Sequence, residues 1–256
     1  MDYDKLLTLS SDLGYHLLLS GAEIYRVEES VQYLLNAYGV ETGEVFAIPN
    51  CVIVSLTAPG QKPITRVRRV PGHGTDISRM EALNALCRQL CAQPVALDQA
   101  ERALARTLEE SPDAPLAVQL AAYFLLTSAF CLFFGGTARD ALCGGLCGLA
   151  VGLVVPFMTR LGTNLFFKTM VGGFFCGLLA SGLTALGLGE HIDLIIIGGI
   201  MAQAPGLVMT NFMRDVIAGD MMSGLVKLAE ALLTGAGIAL GTGVALSLAG
   251  GLWGVA

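Results

Sequence analysis

Charge is what this sequence has least of. Only 14% of its 256 residues are Asp, Glu, Lys or Arg, while 54% are hydrophobic and the mean hydropathy is +0.66. An ordinary soluble domain carries about 25% charged residues, so a single water-soluble globule is excluded. Positive charge is scarcer still. There are 15 basic residues against 21 acidic ones, a net charge of −6, and no basic run or basic–aromatic interleaving, which excludes a nucleic-acid partner. Histidine occurs three times, at His16, His73 and His191, far apart in sequence. No HExxH, P-loop, GxGxxG or Ser/His/Asp set is present, so no ATP-driven or standard hydrolytic chemistry is visible and no enzyme is expected. The seven cysteines include no CxxC and have no histidine partner. Cys87/Cys91 and Cys143/Cys147 are each four apart, on one helix face, and read as small apolar packing. Neither a metal nor a cofactor is expected. The start, Met1-Asp2-Tyr3-Asp4, lacks an apolar run, so no signal peptide is expected.

The charge that exists is unevenly placed. Of 36 charged residues, 25 lie before Leu116, and 25 of the 32 glycines lie after Pro115. The chain therefore reads as two parts: a small cytoplasmic α+β domain over 1–111, and a bundle of about five transmembrane α-helices over 112–256. In the first part, helical spacing predicts helices over Leu6–Leu19 and Gly21–Tyr38, the latter burying Ile24, Val27, Val31, Leu34, Leu35 and Tyr38. Ser20 and Glu23 fit a capping box opening the second helix, and Gly39 is its stop. Two strands follow, Val45–Leu56, interrupted by Pro49, and Ile64–Val70. Helices over Asp76–Cys91 and Val95–Glu110 close the domain. Ser111-Pro112-Asp113-Ala114-Pro115 reads as a linker and His73 as a loop residue.

The apolar segments fall near 116–134, 141–158, 169–188, 192–212 and 225–246. Each has about 18–22 residues, enough to cross about 30 Å of hydrocarbon at 1.5 Å per residue. Arg102 and Arg106 precede the first span, Arg160 and Lys168 separate spans two and three, and Arg214 and Lys227 separate four and five. The other side carries only Arg139. Basic loops favour the cytoplasm, which puts the N-terminal domain inside and the C-terminus outside. Gly144, Gly148 and Gly152, then Gly173/Gly177 and Gly237/Gly241, recur every four residues and imply close helix contact, within the subunit or with a partner.

Chemistry concentrates after Pro205. A proline inside an apolar span breaks its hydrogen bonding, and in a membrane such backbone is tolerated only beside protein or a watery cavity. Asn211, Arg214, Asp215 and Asp220 follow. They read either as ordinary interfacial charges or as a polar transport path. In the second reading Arg214 could hold a carboxylate and Asp215 or Asp220 could carry a proton. Pro205 and Gly206 would form the hinge, and Gly219 and Gly224 would permit turning and close packing. Glu23, Arg26, Glu28 and Arg66 form a second possible site in the N-terminal domain. A solvated face explains the helix residues better than a site does, and the basic face of Arg66 and Arg68 could meet the acids or an anion.

The runs Ser20-Gly21-Ala22-Glu23-Ile24-Tyr25-Arg26-Val27-Glu28, Val45–Thr57, Thr65-Arg66-Val67 and Pro205-Gly206…Asn211…Arg214-Asp215…Gly219-Asp220…Ser223-Gly224 resemble the threonine/serine exporter family in its split, two-subunit form. The resemblance covers nearly the whole chain. It implies a cytoplasmic N-terminal domain, five spans and outward secondary transport across the bacterial inner membrane. The implied cargo is threonine and serine or a dicarboxylate such as succinate. Full-length members carry a second membrane domain, whereas this sequence stops at Ala256. The split form therefore implies a separate smaller membrane subunit as partner, within a multimer. Lys227 stands where arginine is common in the family, a departure that bears on substrate, because lysine does not bind a carboxylate bidentately. A membrane-anchored enzyme or a ligand sensor built on the N-terminal domain is the alternative.

Overall fold

The computed structural model describes residues 1–72, 74–110 and 114–253; His73 and the core of the expected linker, 111–113, lie outside the described residues. Contacts divide the chain into two compact units. Asn211–Lys227 groups with Met1–Asp113, and Leu228–Ala256 groups with Ala114–Thr210.

The first unit is built on α1 (Tyr3–Leu19). Leu6, Leu9, Leu13 and Leu17 recur at helical spacing and are fully buried, so one stripe of α1 forms the core. Around it stand α2 (Ile24–Ala37), the strands β1 (Glu44–Ile48), β2 (Cys51–Leu56) and β3 (Ile64–Arg69), then α3 (Ile77–Ala92) and α4 (Leu97–Glu109). The sheet is antiparallel in the order β1-β2-β3. The expected long strand 45–56 is a two-residue hairpin, with Ile48 paired to Cys51 across Pro49-Asn50. Proline has no N–H to give the ladder, and here it falls in the turn. Val52, Val54 and Leu56 alternate into the core, and Gly14 lets α1 approach Val52 and Val31 closely.

The expected capping box does not form. Ala22 N donates to Leu17 O and Gly21 N to Leu18 O, with Gly21 at φ +86°, the Schellman arrangement that ends a helix. Ser20 thus closes α1, and its hydroxyl donates back to His16 O. Helix α2 begins three residues later with Glu23 as N-cap, and Glu23 makes no side-chain cap bond. Its carboxylate is left for other partners.

The second unit contains α5 (Leu116–Phe133), α6 (Ala138–Arg160), α7 (Leu165–Ala185) and α8 (Ile192–Ile200), followed by a 3-10 turn over Met201–Gln203. Then come α9 (Gly206–Ala218) and α10 (Met221–Trp253), whose ends nearest Gly219 lie in the first unit. Four helices, α5, α6, α7 and α10, are long and apolar enough to cross a membrane; α8 and α9 make a fifth only as a pair bent by 56°. The fourth expected span is therefore a broken one, interrupted at Ala204-Pro205.

The glycine repeats are spent inside the unit. A Cβ on Gly144 would press on Cys131, one on Gly148 would overlap Thr127, and one on Gly152 would meet Tyr123 at 2.9 Å, all on α5. Gly173 and Gly177 face α10, where Ile238 O, Thr242 and Ala245 come within 2.8–3.4 Å of the added atom, while Gly237 and Gly241 reciprocate against Thr169 and Met170. Such approaches are how apolar helices gain packing energy without a hydrophobic driving force. Cys143, Cys147 and Cys176 are buried in this core with Val151, Ile195 and Ile196, as small apolar residues.

Candidate functional site

Glu23 sits at the first turn of α2 and holds two guanidinium groups. Its Oε2 lies 2.7 Å from Arg26 Nε, and its Oε1 pairs with Arg214 Nη1 of α9. The Glu23 side chain is mostly buried, while Arg214 is half exposed. Two residues that sequence reasoning assigned to separate clusters are thus partners within one compact unit. Arg214 lies on α9, eight positions after Gly206, in the part of that helix that groups with the N-terminal residues.

One residue on, Asp215 is 1% exposed and its Oδ2 lies 2.6 Å from Nζ of Lys227, itself 6% exposed. Gly219, at φ +96°, provides the left-handed turn that folds α10 back. Gly224 then allows close crossing, since a Cβ there would come within 2.6 Å of Val216 Cγ2 on α9. This α9–α10 hairpin brings Lys227 to Asp215. Lys227 is therefore held in an internal ion pair. Asp220, partly buried, opens α10. It acts on Glu28, whose carboxyl is pushed up chiefly by burial and further by the Asp220 charge, against the bond it accepts from Ala47 N at 2.8 Å. Asn211 is half buried, Gly206 opens α9 with open space around it, and Pro205 precedes it.

Arg66 does not join this cluster. The register places Arg66 opposite Val54 and Arg68 opposite Val52, on the sheet face that packs on α1. Their long side chains reach over that face to α1. Arg66 Nη1 donates to Thr8 Oγ1 at 2.6 Å, and Arg68 pairs with Asp12 at 3.0 Å over the Tyr15 ring. The expectation that Arg66 belongs with Glu23, Arg26 and Glu28 is corrected by this alternation.

Sequence reasoning also passed over two features of the second unit. Gln203, in the 3-10 turn at the break, is packed against Gly172, with both amide atoms buried and without a hydrogen-bond partner among the described residues. Beside the same break lies a cavity of about 490 Å³ lined by Ile200, Met201, Pro205, Ile238, Thr242 and Leu246 among others. The second feature is a clasp. Asp140 Oδ1 accepts from Glu190 N and His191 N (2.6 and 3.0 Å), and Oδ2 accepts from Thr137 N, Thr137 Oγ1 and His191 Nδ1 (2.9–3.0 Å). Asp140, Glu190 and His191 have the ligand types of a cation site, but both Asp140 oxygens are already filled. The cluster is explained as a joint between the α5–α6 turn and the start of α8.

Asp140 raises the His191 pKa, with Glu190 and Asp193 adding to it. A raised imidazole pKa means the folded state binds the proton more tightly, so the stabilisation is complete below about pH 6.5 and is lost as pH rises through the folded value. Thermal melts of the wild type against His191→Gln should therefore diverge at about pH 6 and converge by about pH 9. Equal differences at both pH values would show an uncharged imidazole.

Comparison with known proteins agrees with these features. A family model described as "Putative threonine/serine exporter" matches residues 8–249. The "Probable threonine/serine exporter" of Mycobacterium tuberculosis is 29% identical over 245 residues, covering 94% of this chain and 46% of that protein. The "Threonine/serine exporter" of Corynebacterium glutamicum is 25% identical over 250 residues, covering 95% and 51%. The chain spans about half the length of the curated relatives it matches. No solved structure matches. With four to five apolar helices long enough to cross a bilayer and a family match over nearly its whole length, this multi-pass membrane protein belongs to the threonine/serine exporter family.

Proposed function

We propose that the chain is a membrane subunit of a secondary transporter that exports small carboxylate-bearing metabolites, threonine and serine or a dicarboxylate such as succinate, across the bacterial inner membrane. The observation that carries this reading is the broken helix at Ala204-Pro205, which lines a cavity of about 490 Å³ and holds the unpartnered Gln203 amide. Exposed backbone at membrane depth is tolerated beside a cavity, and an unsatisfied buried amide asks for a partner that comes and goes. Arg214, downstream on the same helix, is the group for a substrate carboxylate, and Glu23 is its resting counter-ion. Loop charges favour a cytoplasmic N-terminal unit and an outside C-terminus. A separate smaller membrane subunit, supplying the second half of the path within a multimer, is the partner in this reading. The exporter names of the relatives favour transport over an enzymatic role.

The test is efflux of radiolabelled threonine, serine and succinate from proteoliposomes, with and without the second subunit. Flux should require both, and Arg214→Gln should lower it about tenfold or more, the cost of losing a charge-assisted bond. Undiminished flux in Arg214→Gln removes that residue from the path. Undiminished flux without the second subunit removes the partner.

A further inference from the structure

A second polar concavity, within the first unit, is lined by residues of α2 and α3. It is an open groove of about 550 Å³ lined by Arg26, Glu29, Ser30, Tyr33, Asn84 and Arg88, with Ala37, Cys87 and Cys91 as its apolar part. The volume falls in the range of small-molecule sites. Its polar groups are uncommitted: the side chains of Ser30, Tyr33, Asn84 and Arg88 make no hydrogen bond or ion pair to another described residue. Arg88 stands four residues after Asn84 on α3, so the two share one helix face, and Ser30 and Tyr33 share a face of α2 by the same spacing. Surface arginines on helices usually find an acid one turn away. At Arg88 those places hold Asn84, Cys91 and Ala92, and no acid competes for it there. Arg88 thus brings the groove a guanidinium with no acid on its own helix face, while Arg26 is shared with Glu23.

We propose that this groove is a binding site for a small organic anion, a carboxylate on a short carbon chain. Arg88 and Arg26 take the carboxylate, the Ser30 and Tyr33 hydroxyls and the Asn84 amide orient it, and Ala37, Cys87 and Cys91 contact the chain. Arginine supplies two parallel donors to a carboxylate, which fixes orientation as well as charge. The apolar part separates such a ligand from an inorganic oxyanion, which has no carbon to bury. Arg26 also touches Glu23, so a ligand that recruits Arg26 competes with the carboxylate that holds Arg214. The site is therefore placed to report metabolite level to the transport path rather than to carry cargo.

The experiment is calorimetric titration of the full chain in detergent with succinate, threonine and sodium sulfate as probes. Succinate or threonine should bind, Arg88→Gln should weaken that binding about tenfold or more, and Asn84→Ala should weaken it by a smaller factor. Arg214→Gln should retain the binding component that Arg88→Gln removes. Arg88 and Asn84 lie on the surface of α3, so neither variant removes core packing. The proposal is overturned if neither organic anion binds the wild type, or if Arg88→Gln binds as the wild type does. It is also overturned if sulfate displaces succinate at equal concentration, the behaviour of an indiscriminate cationic patch. Binding lost in Arg214→Gln and kept in Arg88→Gln would assign the titrated site to the transport path instead.

Discussion

Lys227→Met is expected to lower stability by about 3–5 kcal/mol, because it leaves Asp215 as a buried charge without its partner. In a chain of this size that corresponds to a fall in Tm on the order of 10 °C. Asp215→Leu should cost a similar amount by stranding the ammonium. The pair is 1% and 6% exposed and closes at 2.6 Å, so neither charge can turn to water without moving the α9–α10 hairpin. The double variant Asp215→Leu/Lys227→Met should recover most of the loss, since an apolar pair of similar volume escapes the desolvation that the ions suffer. Melting of the purified chain in detergent by scanning fluorimetry measures all three. Efflux by the double variant then separates architecture from mechanism. A stable double variant that transports normally would mean Asp215 carries no proton and binds no substrate. A stable one that transports nothing would keep it in the path. Single substitutions at Asp215 cannot make this distinction, because they damage the hairpin and the proposed chemistry together. Asp220→Asn can, since Asp220 is outside the buried pair.

Gly241→Leu is expected to be the most damaging change in the second unit. Even the first atom of a side chain at Gly241 would overlap the Met170 carbonyl of α7, with Phe174 N at 2.9 Å. Backbone cannot give way as a flexible side chain can, so α7 and α10 must separate along the seam formed by Gly173, Gly177, Gly237 and Gly241. Overpacking of a tight contact costs about 1–3 kcal/mol when side chains adjust, and more when they cannot. Loss of the monodisperse peak in size-exclusion chromatography is the expected result. Gly243→Ala on the same helix is the control. An added Cβ there meets nothing within 4 Å, and alanine replaces the poorest helix former short of proline, a gain of up to about 1 kcal/mol. Equal behaviour of the two variants would mean that the seam does not hold the helices together.

The outline of the molecule was legible because it rests on local quantities. Apolar runs of membrane length, helical spacing over Ile24, Val27, Val31 and Leu34, and glycine at every fourth position each express a period that belongs to one element. Pro205 was readable as a break for the same reason: a missing N–H acts on its own helix wherever that helix lies. Ser20 and Glu23 show where local reading stops. Their spacing satisfies a capping box, yet Gly21 in the left-handed region closes α1 first and moves the start of α2 to Ile24. The residues fit two motifs, and the chain uses the one in which Gly21 closes α1. Arg66 was misassigned for a related reason. Charge suggested acids as its partners, whereas strand register aimed it at Thr8.

What the sequence by itself determined was the division of composition, the apolar segments of membrane length, the break, and the residues able to carry charge into an apolar protein. Only the tertiary structure decided who meets whom. Glu23 and Arg214 are 191 positions apart in the numbering, and no periodicity links residues at that distance. Their pairing exists because the chain after Pro205 folds into the same compact unit as the N-terminal helices, and Lys227 is spent on Asp215 because Gly219 reverses the chain between them. Interactions that depend on one helix or strand can be read from spacing. Ion pairs between distant segments depend on the whole arrangement of the chain, and so does the distinction between a charge that works and a charge that holds the fold.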